Sequence, residues 1–267
     1  MKQNNNLFAL PFYENTSEWQ NNKPQAYGEV FPLVTPTWPL PDFQLSRVYN
    51  GRPIRNAYIH YLTGEEVNLT TKIQQAATII VDGGIERIVV AFAGIIPPQP
   101  LPNGRCYLVV EDGYNTWYSE IMTMCDTAEY LTLEWRDSVN VEVGDQKIIY
   151  EGTNFKNKLY LCAQIGMPDY TYTEEGEERD GRFFPVKQIS DKVYKFSFVA
   201  PEYMCDALRL VPLAEHVVIT DPLGVTYECE SILITPSWLE QGNLARVDVE
   251  IHVDTICKRI GKGYDSH

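Results

Sequence analysis

The chain has 267 residues, of which 44% are hydrophobic and 22% are charged, and its formal net charge is −14. This composition predicts a folded protein with a sizeable core. The negative charge argues against nucleic-acid binding, because phosphate contacts need clustered lysines and arginines. No stretch approaches the ~20 apolar residues of a membrane helix, so we expect no membrane insertion.

Residues 1–42 are predicted to form an extended arm. They contain six prolines, and proline both fixes the backbone and removes a hydrogen-bond donor, which disfavours helix. Tryptophan is unusual in a flexible linker, so Trp19 and Trp38 are candidate anchors of the arm. The arm lies either on its own domain or on a neighbouring subunit, and the sequence leaves both open.

Residues 43–127 predict an immunoglobulin-like β-sandwich. Turn signals stand at Asp82-Gly83-Gly84 and at Asp112-Gly113. Short strands separated by turns at this spacing are typical of such sandwiches. The predicted strands are 55–62, 87–93, 106–110 and 117–124.

Residues 128–257 predict a second β domain with one short helix, followed by a polar tail at 258–267. Strict alternation of polar and apolar residues over 246–253 indicates a half-buried strand. Further alternating strands are predicted at 131–135, 159–165 and 192–198. A change in the parity of the apolar residues predicts a bulge near Ser231.

The helix of this domain is predicted over 201–210. Pro201 suits the first helical position, while Glu202 and Arg209 suit the positive start and the negative end of a helix. Four apolar residues follow helical spacing and predict a stripe that packs on a sheet. They are Met204, Ala207, Leu208 and Val211.

The densest charge run, residues 173–182, holds five acids and two arginines. It lacks the ligand spacing of a calcium loop. Two other interpretations remain: a solvated hairpin tip, which the sequence favours, and a loop that forms salt bridges between subunits. In the second, Arg179 and Arg182 pair with acids of a neighbour, which makes them candidate interface residues.

No motif in the chain indicates an enzyme. The histidines and cysteines lack metal-ligand spacing, and no nucleophile elbow or phosphate loop is present. We therefore expect no catalytic residue, no cofactor and no metal. The 17 tyrosines allow a sugar-stacking surface, with Trp117-Tyr118 and Tyr170-Thr171-Tyr172 as candidates, although tyrosine is equally expected in strands and at protein interfaces.

Several segments resemble virion structural proteins of tailed phages of Bacteroidetes, including crAss-like phages. The segments that carry this resemblance are Leu40-Pro41-Asp42-Phe43-Gln44, Trp117-Tyr118-Ser119-Glu120, Leu131-Thr132-Leu133-Glu134-Trp135, Leu159-Tyr160-Leu161, Glu174 to Gly181, Lys187-Gln188-Ile189-Ser190, Ala200-Pro201-Glu202-Tyr203, and Trp238 with Gln241-Gly242. The order strand, helix, strand, hairpin, strand over 190–255 also resembles the split-barrel domain of phage tail-tube and distal-tail proteins, which form rings around the path of DNA. This likeness of topology is an analogy at the level of the fold.

These resemblances imply a split-barrel-like fold for 128–257 and a structural role in the tail, collar or baseplate. The implied partners are other copies of the chain, in a homo-oligomeric ring, and other virion proteins, with no sequence-specific contact to nucleic acid. The implied location is the virion, after synthesis in the cytoplasm of the bacterial host. The alternative function is a module on the virion that binds glycans or receptors of the host surface.

Overall fold

The computed structural model describes residues 7–14, 33–37, 39–48, 50–81, 84–92, 97, 99–143, 146–238 and 244–259. The fold is mainly β with one short α-helix in this part of the chain, as predicted. In chain order the strands are β1 (Phe12–Glu14), β2 (Leu33–Val34), β3 (Phe43–Val48), β4 (Asn56–Tyr61), β5 (Glu66–Asn68), β6 (Ile73–Val81), β7 (Ile85–Phe92), β8 (Gly104–Glu111), β9 (Thr116–Ser119), β10 (Met122–Met124), β11 (Leu131–Arg136), β12 (Val141–Val143), β13 (Gln146–Ile148), β14 (Asn157–Leu161), β15 (Asp169–Arg179), β16 (Arg182–Pro201), β17 (His216–Thr220), β18 (Thr226–Glu228), β19 (Ser231–Trp238) and β20 (Leu244–Arg259). Helix α1 (Glu202–Leu208) follows β16 directly.

The largest sheet among the described residues runs in the order β1-β9-β8-β10-β2-β14-β11-β17-β18, and β4 and β5 extend it beside β8. The short strand β2 is its central connection, because Leu33 pairs in parallel with Thr123 and in antiparallel with Tyr160. One sheet therefore includes strands from both predicted domains. The division of the chain after residue 127 stays a prediction.

The first core lies between the three-stranded sheet β3-β7-β6 and the first half of the large sheet. Both sheets contribute one apolar face, as the period-2 alternation of their strands predicts. Its fully buried members include Leu45, Ile59, Ile88, Cys106, Val110 and Met124.

A second core covers the other face of the three-stranded sheet. The side-chain amide of Gln44 hydrogen-bonds the backbone of Ile149 here, as a neighbouring strand would. Its Nε2 donates to the Ile149 carbonyl at 2.7 Å, and its Oε1 accepts from the Ile149 amide at 3.1 Å. Phe8 and Phe155 meet edge to face nearby. Both faces of this sheet are thus buried.

A buried ionic cluster ties the three-stranded sheet to the turn between β8 and β9. Arg47 binds Glu86 at 2.6 Å and Asp112 at 2.6 Å, and all three side chains are almost fully enclosed. Asp112 also accepts hydrogen bonds from Asn50 and from the backbone amides of the turn. Burial alone would raise the pKa of Asp112, but these hydrogen bonds outweigh burial and lower it.

The third core lies between the second half of the large sheet and the four-stranded sheet β15-β16-β20-β19. All four residues of the predicted stripe are buried in it: Met204, Ala207 and Leu208 on helix α1, and Val211 in the 3-10 helix that follows at Val211–Leu213. Pro201 is the N-cap residue rather than the first helical residue, because it still pairs with Leu244 as the last residue of β16. Glu202 lies in the first turn, where it favours the positive end of the helix.

Three predicted strand features differ from the structure. The strand over 117–124 is interrupted at Glu120, because the chain there crosses from β9 to β10. The strand over 159–165 ends at Leu161. No bulge is present near Ser231, since the parity changes between two separate strands, β18 in the large sheet and β19 in the four-stranded sheet.

The described parts of the N-terminal arm pack on the body of their own chain. Phe12–Glu14 pairs with β9, and Leu33–Val34 lies within the large sheet. Leu7, Phe8 and Leu40 are buried. Trp19 and Trp38 lie outside the described residues. Within the described ranges, no helix has the length and apolar character needed to span a bilayer.

Candidate functional site

The most prominent surface feature is a long projecting hairpin, here called the ribbon. It consists of residues 169–191, with residues 254–259 of β20 as a partial third strand. Every residue of β15 is exposed, and the last buried residues at its base are Val193 and Val253. At a rise of about 3.4 Å per residue, the ten residues from Lys192 to Arg182 extend roughly 30 Å beyond the core.

The end of the ribbon is a two-residue turn at Asp180-Gly181. Both residues have positive φ, 49° and 73°, as in the type I′ turn that matches the twist of a hairpin. The turn places the two candidate interface residues, Arg179 and Arg182, directly opposite each other. Arg179 binds Glu177 through Nε at 3.0 Å. Arg182 makes no side-chain hydrogen bond or ion pair with any described residue.

A bulge bends the ribbon where the pairing slips between Glu175 and Gly176. A Cβ atom on Gly176 would lie 2.3 Å from the Phe184 carbonyl oxygen and 2.7 Å from the Phe183 ring. Any side chain at position 176 would therefore displace the opposite strand. This glycine is required by a close approach rather than by its backbone angles.

The ribbon exposes more apolar surface than a solitary two-stranded element normally does. The exposed fractions are 73% for Tyr170, 60% for Tyr172, 51% for Phe183, 49% for Phe184 and 68% for Ile256. Adjacent residues of a strand point to opposite faces, so Phe183 and Phe184 place one half-exposed phenyl ring on each face of the ribbon. Exposed apolar side chains of this kind are available for contact with another molecule.

Some polar residues of the ribbon pair across its two strands. Lys187 binds Glu175 at 3.4 Å, and Gln188 donates to Glu174 at 2.7 Å. Hydrogen bonds from Tyr172 and Gln188 lower the pKa of Glu174. Exposed pairs of this kind contribute little to stability. No group of three potential metal ligands is present among the described residues.

The four-stranded sheet also has two open edges, β15 and β19. The edge at β19 carries Leu233 and Trp238, whose side chains are more than half exposed. Edge strands present unpaired backbone groups that can pair with another chain. β15 of the ribbon and β19 are the two opposite edge strands of one sheet, so they offer different surfaces.

A second surface, here called the tyrosine face, lies on the outer side of four neighbouring strands of the large sheet, β1, β9, β8 and β4. Its members are Tyr13, Tyr58, His60, Tyr107 and Tyr118. Pairing aligns Tyr58 with Val109, Val109 with Tyr118, and Tyr118 with Tyr13. The predicted cluster Trp117-Tyr118 is therefore divided, because Trp117 points into the first core and donates to the Ser46 carbonyl at 3.2 Å.

The rings of the tyrosine face contact one another. The rings of His60 and Tyr107 stack with centroids 5.5 Å apart and planes 15° apart, and Tyr58 lies 6.1 Å from His60. Burial, and then the nearby Tyr118, raise the pKa of Tyr107. Val109, at the centre of this face, is almost fully covered. His60 thus contacts both Tyr58 and Tyr107, while Tyr118 and Tyr13 continue the row on β9 and β1.

Polar groups border this face. Asn56 donates to Glu111 at 3.0 Å, and His60 Nδ1 lies 3.4 Å from a Glu66 carboxylate oxygen. Glu120 is buried at another side and accepts a hydrogen bond from the Tyr13 hydroxyl at 3.0 Å. Burial raises the pKa of Glu120 despite this bond.

The sequence favoured a solvated hairpin tip for residues 173–182, and Arg179 and Arg182 do lie at the tip of an exposed hairpin. Sequence reasoning predicted neither the length of the ribbon nor the tyrosine face. The signals available were the Asp180-Gly181 turn for the ribbon and single tyrosines in alternating strands for the face. No family model matches the chain, and no significant match was found among curated proteins or solved structures. The geometry of these two surfaces therefore carries the functional argument.

Proposed function

We propose that the protein is a structural component of a phage virion that forms part of a ring in the tail, collar or baseplate. The observation that carries this proposal is the ribbon, which extends roughly 30 Å beyond the core and exposes a phenylalanine ring on each face. The place in a virion rests on the segments that resemble phage structural proteins. The spacing of strands and turns supports an immunoglobulin-like sandwich for 43–127, and the likeness in strand order over 190–255 supports a split-barrel-like domain for 128–257.

The energetics of the ribbon favour a bound partner. Beyond the pair Lys187 and Arg259 the ribbon has only two strands, and an isolated two-stranded hairpin is marginally stable in water. Complete burial of a phenylalanine is worth about 1.5–3 kcal/mol. About half of each of Phe183 and Phe184 is exposed, so about half of this burial free energy is still available from a contact with another molecule.

The geometry also favours contacts of the head-to-tail type. The ribbon and the β19 edge are different surfaces, so a contact that uses both is heterologous, and repetition of such a contact closes a ring when the rotation allows it. Arg179 and Arg182 contribute to this contact at the end of the ribbon. The two like charges lie directly opposite each other and repel, and acidic side chains of a partner would offset that repulsion. Trp19 and Trp38 remain candidate anchors of the arm.

The experiment compares the wild-type chain with a ribbon variant, Phe183→Ser with Phe184→Ser. The matched control is Val139→Ser with Leu223→Ser, which removes two exposed apolar side chains outside the ribbon and outside β19. Sedimentation velocity measures self-association, and negative-stain imaging gives the size and symmetry of the particles. We expect the ribbon variant to weaken self-association by roughly 10- to 100-fold, from about 1.5–3 kcal/mol of lost burial.

The control variant should assemble like the wild type, and all three proteins should have the same melting temperature. A wild-type chain that stays monomeric at high micromolar concentration would contradict the proposal. A ribbon variant that forms the same rings as the wild type would contradict the role of the ribbon.

A further inference from the structure

We propose that the tyrosine face binds a neutral oligosaccharide chain through stacking of its rings on the sugars. The inference goes beyond ring assembly and uses a different sheet from the ribbon. Tyrosine combines a flat apolar ring with a hydroxyl at its edge. A pyranose ring has the complementary pattern, with apolar C–H faces and hydroxyls around its rim.

The dimensions of the face suit a chain of sugars rather than a single ring. Tyr58, Tyr118 and Tyr13 lie in one row across β4, β8, β9 and β1. Three strand spacings of about 4.8 Å separate the first ring of this row from the last, so the row is roughly 14 Å long. Tyr107 and His60 form a parallel second row beside it.

The rings are held in place before any ligand arrives. All five side chains stand on paired strands, and His60 stacks on Tyr107 at 5.5 Å. Val109 lies between Tyr58 and Tyr118 in this row and is almost fully covered. Such preorganisation reduces the entropy lost on binding, because few rotatable bonds become fixed.

The border of the face supplies hydrogen-bonding groups for sugar hydroxyls. Asn68 continues the row of Tyr58, Glu66 continues the row of His60, and Asn56 and Glu111 form the next row. Carboxylates and amides are the side chains that accept and donate to hydroxyls. Specificity for a particular sugar would come from these groups.

Charge selects a neutral ligand over an acidic one. Two exposed or partly exposed carboxylates, Glu66 and Glu111, border the face, and Arg105 lies beside Tyr107 along β8. The net charge of −14 repels polyanions further. Uronic-acid and sulfated polysaccharides therefore fit the face poorly.

The test is affinity electrophoresis of the full chain in native gels that contain one polysaccharide each. The probes are hydroxyethyl cellulose, laminarin and yeast mannan as neutral chains, and polygalacturonate as an acidic one. The variant Tyr58→Ala with Tyr118→Ala removes two rings of the first row. The matched control is Tyr114→Ala, which removes a highly exposed tyrosine on the turn outside the face.

We expect at least one neutral polysaccharide to retard the wild type and the control equally. The double variant should bind at least about tenfold more weakly, since each stacked ring contributes roughly 0.5–1.5 kcal/mol beyond buried area. A measurement on the wild type covers the case of a variant that does not fold: the neutral polysaccharide should slow nitration of Tyr58 and Tyr118 by tetranitromethane and leave nitration of Tyr114 unchanged.

Three results would overturn the inference. The first is retardation by none of the neutral probes, and the second is retardation by polygalacturonate alone. The third is a double variant that loses self-association but keeps sugar binding. That result would identify the face as a contact between copies of the chain. None of these results bears on the ribbon variants, so the two proposals fail independently.

Discussion

Replacing Arg47 by methionine should destabilise the protein strongly, because it leaves two buried acids without their cation. Arg47 binds Glu86 and Asp112 at 2.6 Å each, and none of the three side chains is more than 4% exposed. Methionine fills most of the same volume, so the change removes charge and hydrogen bonds more than it creates a cavity. The cluster carries one net negative charge with Arg47 and two without it.

The magnitude follows from the burial of the cluster. Removing one partner from a buried ion pair costs about 3–5 kcal/mol, because the remaining charge is uncompensated. For a chain of this size each kcal/mol lowers the melting temperature by about 2–4 °C, so we expect a decrease of roughly 6–20 °C. The matched control is Lys147→Met, which breaks the exposed pair of Lys147 with Glu142 and should cost less than about 1 kcal/mol.

Urea unfolding followed by tryptophan fluorescence at several pH values measures both effects. The pKa of Asp112 is lowered in the folded protein, so its contribution to stability is present above the ordinary aspartate pKa of about 3.9 and is lost as the pH falls below it. The deficit of the Arg47→Met variant should therefore shrink from pH 7 to pH 3.5, as the unpaired acids become protonated. A deficit at pH 7 no larger than that of Lys147→Met would refute the reasoning.

Two further predictions concern single contacts. Burial raises the pKa of Glu120, so the stability contributed by its protonated carboxyl is complete at low pH and is lost as the pH rises through the folded-state pKa. Glu120→Gln keeps an acceptor for Tyr13 and should therefore become more stable relative to the wild type between pH 5 and pH 7 in thermal melts. A constant difference in melting temperature across that range would contradict this. Gly176→Ala should weaken self-association about tenfold, because a Cβ atom 2.3 Å from the Phe184 oxygen imposes strain of about 1–3 kcal/mol on the ribbon. The matched control is Gly166→Ala, whose Cβ would make an ordinary contact at 3.5 Å. The control should assemble normally in sedimentation velocity.

Local periodicity was sufficient to predict the elements of the third core. The alternation over 246–253 lies within β20, and its apolar residues are buried as the period requires. The stripe that includes Ala207 and Leu208 faces the core because helical spacing determines which residues share a side. In both cases the information lies within one segment of the chain.

The sequence predicted a hairpin tip at residues 173–182 but not the length of the ribbon, because glutamates are depleted in strands and the run from Glu174 to Glu178 does not indicate one. Backbone pairing with β16 overrides that preference. The tyrosine face depends on register between strands that are distant in sequence. Alternation shows which side of its own strand Tyr58 or Tyr118 occupies, but not that Val109 lies between them.

The position of β2 between β10 and β14 has a consequence for the nascent chain. Leu33 finds one neighbour at Thr123 and another only at Tyr160, and at about 5–20 residues per second the ribosome needs roughly 6–25 s to synthesise the intervening chain. Pairings so far apart in sequence also close slowly. The ribbon follows β14 in the chain, so it leaves the ribosome only after every strand needed to complete the central connection of the large sheet. In the proposed ring, an incomplete subunit would therefore lack the element that joins it to a neighbour.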